Sequence, residues 1–236
     1  MNTLKQAIFQ LREAAAQEKM NSARFFKTNE GDYSAHDHFL GVCVPTVRVI
    51  AKTFADLDHA DLTTLFASKF NEERLLALFI LINQYQKGSP AIKQACYELY
   101  IKNIRHVNNW NLVDASAHEI VGAHLFAGDR SILRTLAASD NLWERRIAIV
   151  TTWHFIRKND FEWTLTIAKL LLTDSHDLMH KATGWMLREM GKKDQTPLIN
   201  FLDAHAPVMP RTMLRYAIEK FPIDVRKDYL ARKRLV

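Results

Sequence analysis

The sequence predicts an all-α protein built from stacked helical pairs, and three observations carry that prediction. Almost every segment of the 236 residues repeats its apolar positions with the 3.6-residue period of a helix, and none alternates convincingly like a strand. Seven glycines and six prolines are few for a β-rich chain. Longer helices with an early aromatic residue or acid–base pair start near Glu72, Asn109, Leu142, Leu178 and Met209. Those starts recur every 31 to 37 residues, with a shorter helix in each gap. Such a period marks a helical-pair array of HEAT or armadillo type, because one pair cannot bury its apolar face alone and must stack on the next. The expected product is one domain, residues 1–236, of about fourteen helices: a curved solenoid of HEAT-like repeats whose concave groove is the default binding surface.

Taken in order, LKQAIFQLREAAA opens the chain as an amphipathic helix without signal-peptide character. A polar loop, NEGDYSAHDHFLG, follows it. Pro45 then stands at a helix start, where its missing N–H has no partner to lose, and TVRVIAKTFADL continues. ADLTTLFAS, EERLLALFILINQY and AIKQACYELYIKNI come next. WNLVDASAHEIVGAHLF reads as one helix capped by Asn108 or Asn109, with an apolar face through Val113, Ala117, Ile120, Val121 and His124. RSILRTLAAS, LWERRIAIVTTWHFIRK, WTLTIAKLLLT, DLMHKATGWMLREMGKK, TPLINFLDAH, PRTMLRYAIEKFP and VRKDYLARKRL complete the series.

With 48% apolar and 25% charged residues the chain has ample core and no disordered character. No apolar run approaches the roughly 18 residues of a membrane span. Cys43 and Cys96 are far apart, in no metal-like spacing, and read as reduced thiols of a cytoplasmic protein. The net charge is +6, and it is concentrated. From His176 onward twelve Lys/Arg face seven Asp/Glu, which is +5 of that total. A basic region of this size suits a polyanion, and equally a solvated surface with a basic tail.

Side chains equivalent between repeats then become candidates. Trp110 and Asp114 are four apart and share one side of a helix. On the following long helices stand Trp143 with Arg146, Trp185 with Arg188 and Lys192, and Arg211 with Arg215. One groove presenting tryptophans, a carboxylate and a line of cations suits a cationic or sugar-like ligand flanked by phosphates. Each member also has a plainer reading: tryptophans as core, Arg145 and Arg146 as partners of nearby acids, Asp114 as a complement to the helix dipole. His176 and His180 are spaced for a metal pair but have no evident third ligand, and His118-Glu119 begins a zincin motif that Gly122 breaks. No metal and no organic cofactor are expected.

The stretches ARFFKTNEGDYSAHDHFLGVCVP, NNWNLVDASA, SDNLWERRIAIV, HKATGWMLREMGKKD and MPRTMLRYAIEKFP resemble the HEAT-like DNA glycosylases of the alkylpurine DNA glycosylase D (AlkD) family. The resemblance spans nearly the whole chain. It implies an all-α solenoid that holds duplex DNA in its concave groove and excises positively charged N3- and N7-alkylated purines, without obligatory base flipping, in base excision repair. By the same resemblance Asp114 is the catalytic carboxylate, Trp110 and Trp185 are aromatic walls around the lesion's deoxyribose, and Arg146 grips a phosphate. Expected DNA contacts are Phe25, Lys27, Trp143, Arg145, His154 and Arg157, then Lys181, Arg188, Lys192, Arg211 and Arg215. Two positions depart from the family pattern: Phe25 stands where some members have tyrosine, and His154 where a basic residue is usual. The protein is expected to be a monomer in the cytoplasm, associated with the nucleoid. Two other functions fit the same residues: a non-catalytic module for damaged or branched DNA, and a protein-binding adaptor of HEAT type with the tryptophans as anchors.

Overall fold

The computed structural model describes residues 3–232. Within them lie fourteen α-helical stretches, two 3-10 turns and one π-helical turn, and no strand; the chain is all-α, as the periodicity predicts. The basic tail's Lys233 and Arg234 lie outside the described residues. The chain divides into two compact units, residues 1–116 and 117–236.

The first unit runs from α1 (Leu4–Glu18) through α2 (Val44–Thr53), α3 (His59–Phe66), α4 (Asn71–Lys87) and α5 (Pro90–Lys102) to α6 (Trp110–Ser116). Its centre is α4. Every residue from Asn71 to Ile82 is buried, as befits a helix that neighbours cover on all sides. Its first turn is polar nonetheless: Asn71, Glu72, Glu73 and Arg74 are each at most 4% exposed. Their partners are supplied largely by the segment between α1 and α2. Leu40 and Gly41 donate their backbone N–H groups to the two carboxylate oxygens of Glu72, both at 2.9 Å. His38 and Asn71 pair backbone to backbone, with Asn71 N donating to His38 O at 2.8 Å. At Gly41 the backbone φ is +88°, and a Cβ would lie 2.7 Å from Met20 O, so only glycine fits. The polar loop of the sequence is thus a folded strap held on the start of α4.

The second unit comprises a π-helical turn (His118–Gly122), α7 (Ala123–Leu125), α8 (Ile132–Ala137), α9 (Leu142–Arg157), α10 (Glu162–Leu170), α11 (Asp177–Lys193), α12 (Gln195–His205), α13 (Arg211–Ala217) and α14 (Ile223–Ala231). Its central helices are α9 and α11, and α11 packs against both α9 and α13. Gly184 makes the approach to α13 close: a Cβ there would lie 2.4 Å from Met213 O. The expected starts agree with those of α4, α6, α9, α11 and α13 within two residues, but α6 and α13 have seven residues each and are shorter than the 13-residue α5 and the 11-residue α12 that precede them, so the expected long–short alternation fails there. The single helix expected over 110–126 is not single. Gly122 N bonds to Ala117 O at 2.9 Å, one residue beyond the α pattern. Gly122 there lies against α9, with room for a Cβ excluded by Thr151 O at 2.6 Å.

Three long helices begin in the same way. Two residues before the cap-end turn, a side-chain oxygen accepts a backbone N–H: Ser68 from Phe70 and Ser139 from Asn141, both at 3.0 Å, and Asp174 from His176 at 2.9 Å. Six residues further on, a side chain donates to that residue's carbonyl: Arg74 to Ser68 at 2.7 Å, Arg145 to Ser139 at 3.0 Å, and His180 to Asp174. Each repeat thereby closes its own linker. His176 and His180, spaced like a metal pair, are used in this way: the His176 ring caps Leu178 N at 3.1 Å.

Candidate active site

Trp110 and Asp114 lie one turn apart on α6, both half-buried. Trp110 rests on the strap. Phe26 stacks on its ring with centroids 5.1 Å apart and planes 24° apart, and Phe39 stacks on Phe26 at 4.5 Å. The ring beside Trp110 is therefore Phe26, a residue the sequence reading passed over. Its neighbour Phe25 is 50% exposed, with the Arg24 guanidinium over its face at 4.5 Å.

The start of α6 is fixed by Asn109, which is fully buried. Its side-chain oxygen accepts the Trp110 N–H at 2.7 Å, and its carbonyl accepts from Leu112 and Val113. Its amide donates to Ser34 Oγ and to Asp37 Oδ2, both at 2.6 Å. The Asp37 carboxylate has no exposed surface. It also accepts from Asn71 at 2.9 Å, from the Arg74 guanidinium, and lies 3.2 Å from His36 Nε2. A buried carboxylate is costly unless charged and hydrogen-bonding partners surround it, and here they do. Asp37, Ser34, Asn71 and Arg74 were not singled out by sequence. Their signal was polar residues at the head of a helix otherwise apolar all round.

In the second unit the remaining candidates are more enclosed than a groove-lining reading expects. Trp143 is 8% exposed and Arg146 is 5% exposed, with Arg146 Nη1 donating to Leu178 O at 2.8 Å across α9 and α11. Trp185 is half-buried, and its indole N–H donates to Glu189 at 3.2 Å. Trp153 packs edge-on against Trp185 at 5.1 Å, and the His118 ring lies 4.5 Å from Trp153. Neither Trp153 nor His118 was anticipated as part of an aromatic cluster. His118 donates to Glu119 at 3.0 Å and Arg157 to the same oxygen at 3.2 Å. The His118 hydrogen bond leads in holding the Glu119 carboxyl down at about 2, with Arg157 adding to it, so Glu119 is charged at neutral pH. Burial, and then the Arg157 charge, lower the His154 pKa. Both causes favour the neutral imidazole at His154.

Most of the expected DNA-contacting cations face acids. Arg145 pairs with Asp174 at 2.6 Å, Lys181 with Asp177 at 2.8 Å, and Lys192 with Glu189 at 2.7 Å. Arg188 pairs with Glu189 and Glu219. Arg188, Lys192, Lys193 and Lys220 line a cleft of about 380 Å³ together with Gly191 and Phe221. Arg211 donates to Arg232 O at 3.4 Å, and Lys27 and Arg215 are exposed. The Lys181–Asp177 pair is exposed, and such a pair contributes about 0–1 kcal/mol, whereas Arg145–Asp174 and Arg188–Glu189 are largely buried. Among the described residues no three His, Cys, Asp or Glu side chains are grouped to hold a metal ion, and no helix is long and apolar enough to cross a membrane.

Helices stacked in successive pairs, without strands among the described residues, define a helical-repeat protein. The family is specific. A family model for DNA alkylation repair enzymes matches residues 7–221, and the chain belongs to that family, which gives it a role in the repair of alkylated DNA. Its fold is similar to that of a predicted DNA alkylation repair enzyme from Enterococcus faecalis, with a TM-score of 0.65 at 16% identity over 89% of this chain and 96% of that one. No curated protein matches it.

Proposed function

We propose that the protein is a monofunctional DNA glycosylase that hydrolyses the N-glycosidic bond of N3- and N7-alkylated purines in duplex DNA. The observation that carries this reading is the placement of Asp114 one turn after Trp110 on α6, with Trp110 backed by Phe26, in a chain of the alkylation repair family. The match also runs through the boundary at Ser116, which favours residues 1–236 acting as one functional domain.

The chemistry follows from charge. An N3- or N7-alkylated purine is cationic, so its glycosidic bond is weakened and the base leaves neutral, without a general acid. Positive charge moves onto the sugar, which becomes oxocarbenium-like. A carboxylate beside that sugar stabilises the transition state more than the ground state. At about 4 Å and an effective dielectric near 20, the attraction of two unit charges is about 4 kcal/mol. Realised only in the transition state, it gives roughly a thousandfold. Asp114 would also orient the attacking water. Trp110, and Trp185 in the second unit, would each add about 0.5–2 kcal/mol of cation–π attraction. Arg146 and the paired surface cations would hold phosphates. No step calls for flipping the base into a pocket, and the protein would act as a cytoplasmic monomer.

The test is release of N7-methylguanine and N3-methyladenine from methylated duplex DNA by wild type and Asp114→Asn side by side. Release by wild type, with about a thousandfold less from the variant and equal DNA binding, is the expected outcome. No release by wild type despite DNA binding would turn the reading to a non-catalytic module. Equal release by both proteins would remove Asp114 from the chemistry.

A further inference from the structure

We propose that Asp37 is a positioning residue for this reaction: through Asn109 it fixes the first turn of α6, and with it Trp110 and Asp114. The inference rests on the glycosylase reading above but assigns a role to a residue outside it.

The case begins with what α6 lacks. At the starts of α4, α9 and α11, a linker oxygen and a side chain six residues later close each linker locally, as Ser68 and Arg74, Ser139 and Arg145, Asp174 and His180. In the same register α6 has Val107 and Val113, both fully buried and unable to make either bond. The start of α13 also lacks the pair, and there Pro210 precedes the helix with its φ already set. At α6 the missing local closure is replaced by a distant one. Asn109 spans from the Trp110 N–H, at 2.7 Å, to Ser34 and Asp37 of the strap, both at 2.6 Å.

Asp37 is the charged hub where three elements meet; beside it Asn71 of α4 also bonds α6, accepting from the Asn111 side chain at 2.7 Å. One carboxylate oxygen accepts from Asn109 and Asn71; the other faces Arg74 and His36. Arg74 is also committed to the Ser68 carbonyl at 2.7 Å, so the hub is tied to the head of α4, the central helix of its unit. The same strap carries Phe26 against the Trp110 ring. Backbone and ring of Trp110 are thus both referred to one segment, and Asp114 follows Trp110 rigidly, one helical turn on. A buried charge that joins the starts of α4 and α6, where a helix such as α9 closes its linker with local bonds, is explained by a demand on position at α6.

The experiment compares wild type with Asp37→Asn, Asn109→Asp and the exchange double variant D37N/N109D, which restores one carboxylate and one amide to the facing pair. Single-turnover release of N7-methylguanine at saturating enzyme, affinity for undamaged duplex, and amide exchange at Trp110, Leu112 and Val113 are read together. Each single variant is expected to slow release by about 10- to 100-fold, keep duplex affinity within about twofold and speed exchange at those amides. The double variant should regain most of the release rate and the protection. Ser34→Ala, which removes one acceptor of Asn109, gives a smaller loss of the same kind and serves if a single variant does not fold. Release by wild type that is lost in Asp114→Asn yet undiminished in all the strap variants would overturn the positioning role alone. So would unchanged α6 exchange in every variant, or release and duplex affinity lost in parallel and not regained in the double variant. No release by wild type, with α6 exchange accelerated as expected, would instead remove the glycosylase reading and leave Asp37 as the anchor of α6.

Discussion

Trp110 has one ring face already occupied, and that decides what it can do. With Phe26 stacked at 5.1 Å, one face of the half-buried indole is covered, and its orientation is set by that contact. Adjacent phenylalanines consequently have opposite consequences. Phe26→Ala should lower both thermal stability and excision, the latter by about two- to tenfold, which is the worth of one aromatic pair. Phe25→Ala should leave the melting temperature unchanged, because half of that side chain is already in water. Thermal unfolding and excision measured on the two variants check this, and equal melting losses would refute the distinction. Phe25 keeps its expected place as a DNA contact only if its removal changes duplex affinity.

At the scale of elements, helix starts and close helix approaches position the candidate residues. Sequence patterning found the helices because α4, α9 and α11 are long and rich in apolar residues, and α9 has an ordinary cap in Asn141. It missed the π-helical turn at His118–Gly122, since a one-residue widening of the helix leaves no mark on an apolar pattern. What forces the glycine there is contact with α9. Gly122→Ala would place a Cβ 2.6 Å from Thr151 O and 2.7 Å from His154 Cβ, both parts of a packed helix. The expected cost is about 1–3 kcal/mol, the usual range for overpacking. Urea unfolding gives the value, and an unchanged midpoint would mean that α9 yields more easily than a packed helix should.

On the scale of the whole molecule the dominant quantity is charge. The net +6 is concentrated after His176, yet Lys181, Arg188 and Lys192 all face carboxylates in the free protein. If these cations hold DNA as proposed, binding exchanges those partners for phosphates. A cation that does so contributes about one unit to the slope of log affinity against log salt. Lys192→Gln should flatten that slope by about one unit and leave unfolding unaffected, because its ammonium is exposed and its pair with Glu189 is weak. Salt titration of binding to random duplex checks it, and an unaltered slope would place Lys192 outside the DNA contact. Arg146 is different. It is buried and bonded to Leu178 O, so removing it should cost stability, and any change in DNA binding has to be read against that loss.

The sequence alone determined the all-helical class, the repeat spacing and the starts of the long helices, because each follows from local periodicity and from caps a few residues away. It also singled out Trp110 and Asp114, since four-residue spacing on a helix is a local fact. Tertiary structure decided the rest. That Phe26 rather than Phe25 supports Trp110, that Asn109 is bonded to Ser34 and Asp37 some seventy residues earlier, and that Trp153 and His118 cluster with Trp185 all depend on segments distant in the chain. The polar loop could not be recognised as a strap from its own composition. Its buried aspartate becomes affordable only when Asn71, Arg74 and Asn109, contributed by two other elements, converge on it, and no pattern within the loop encodes that convergence.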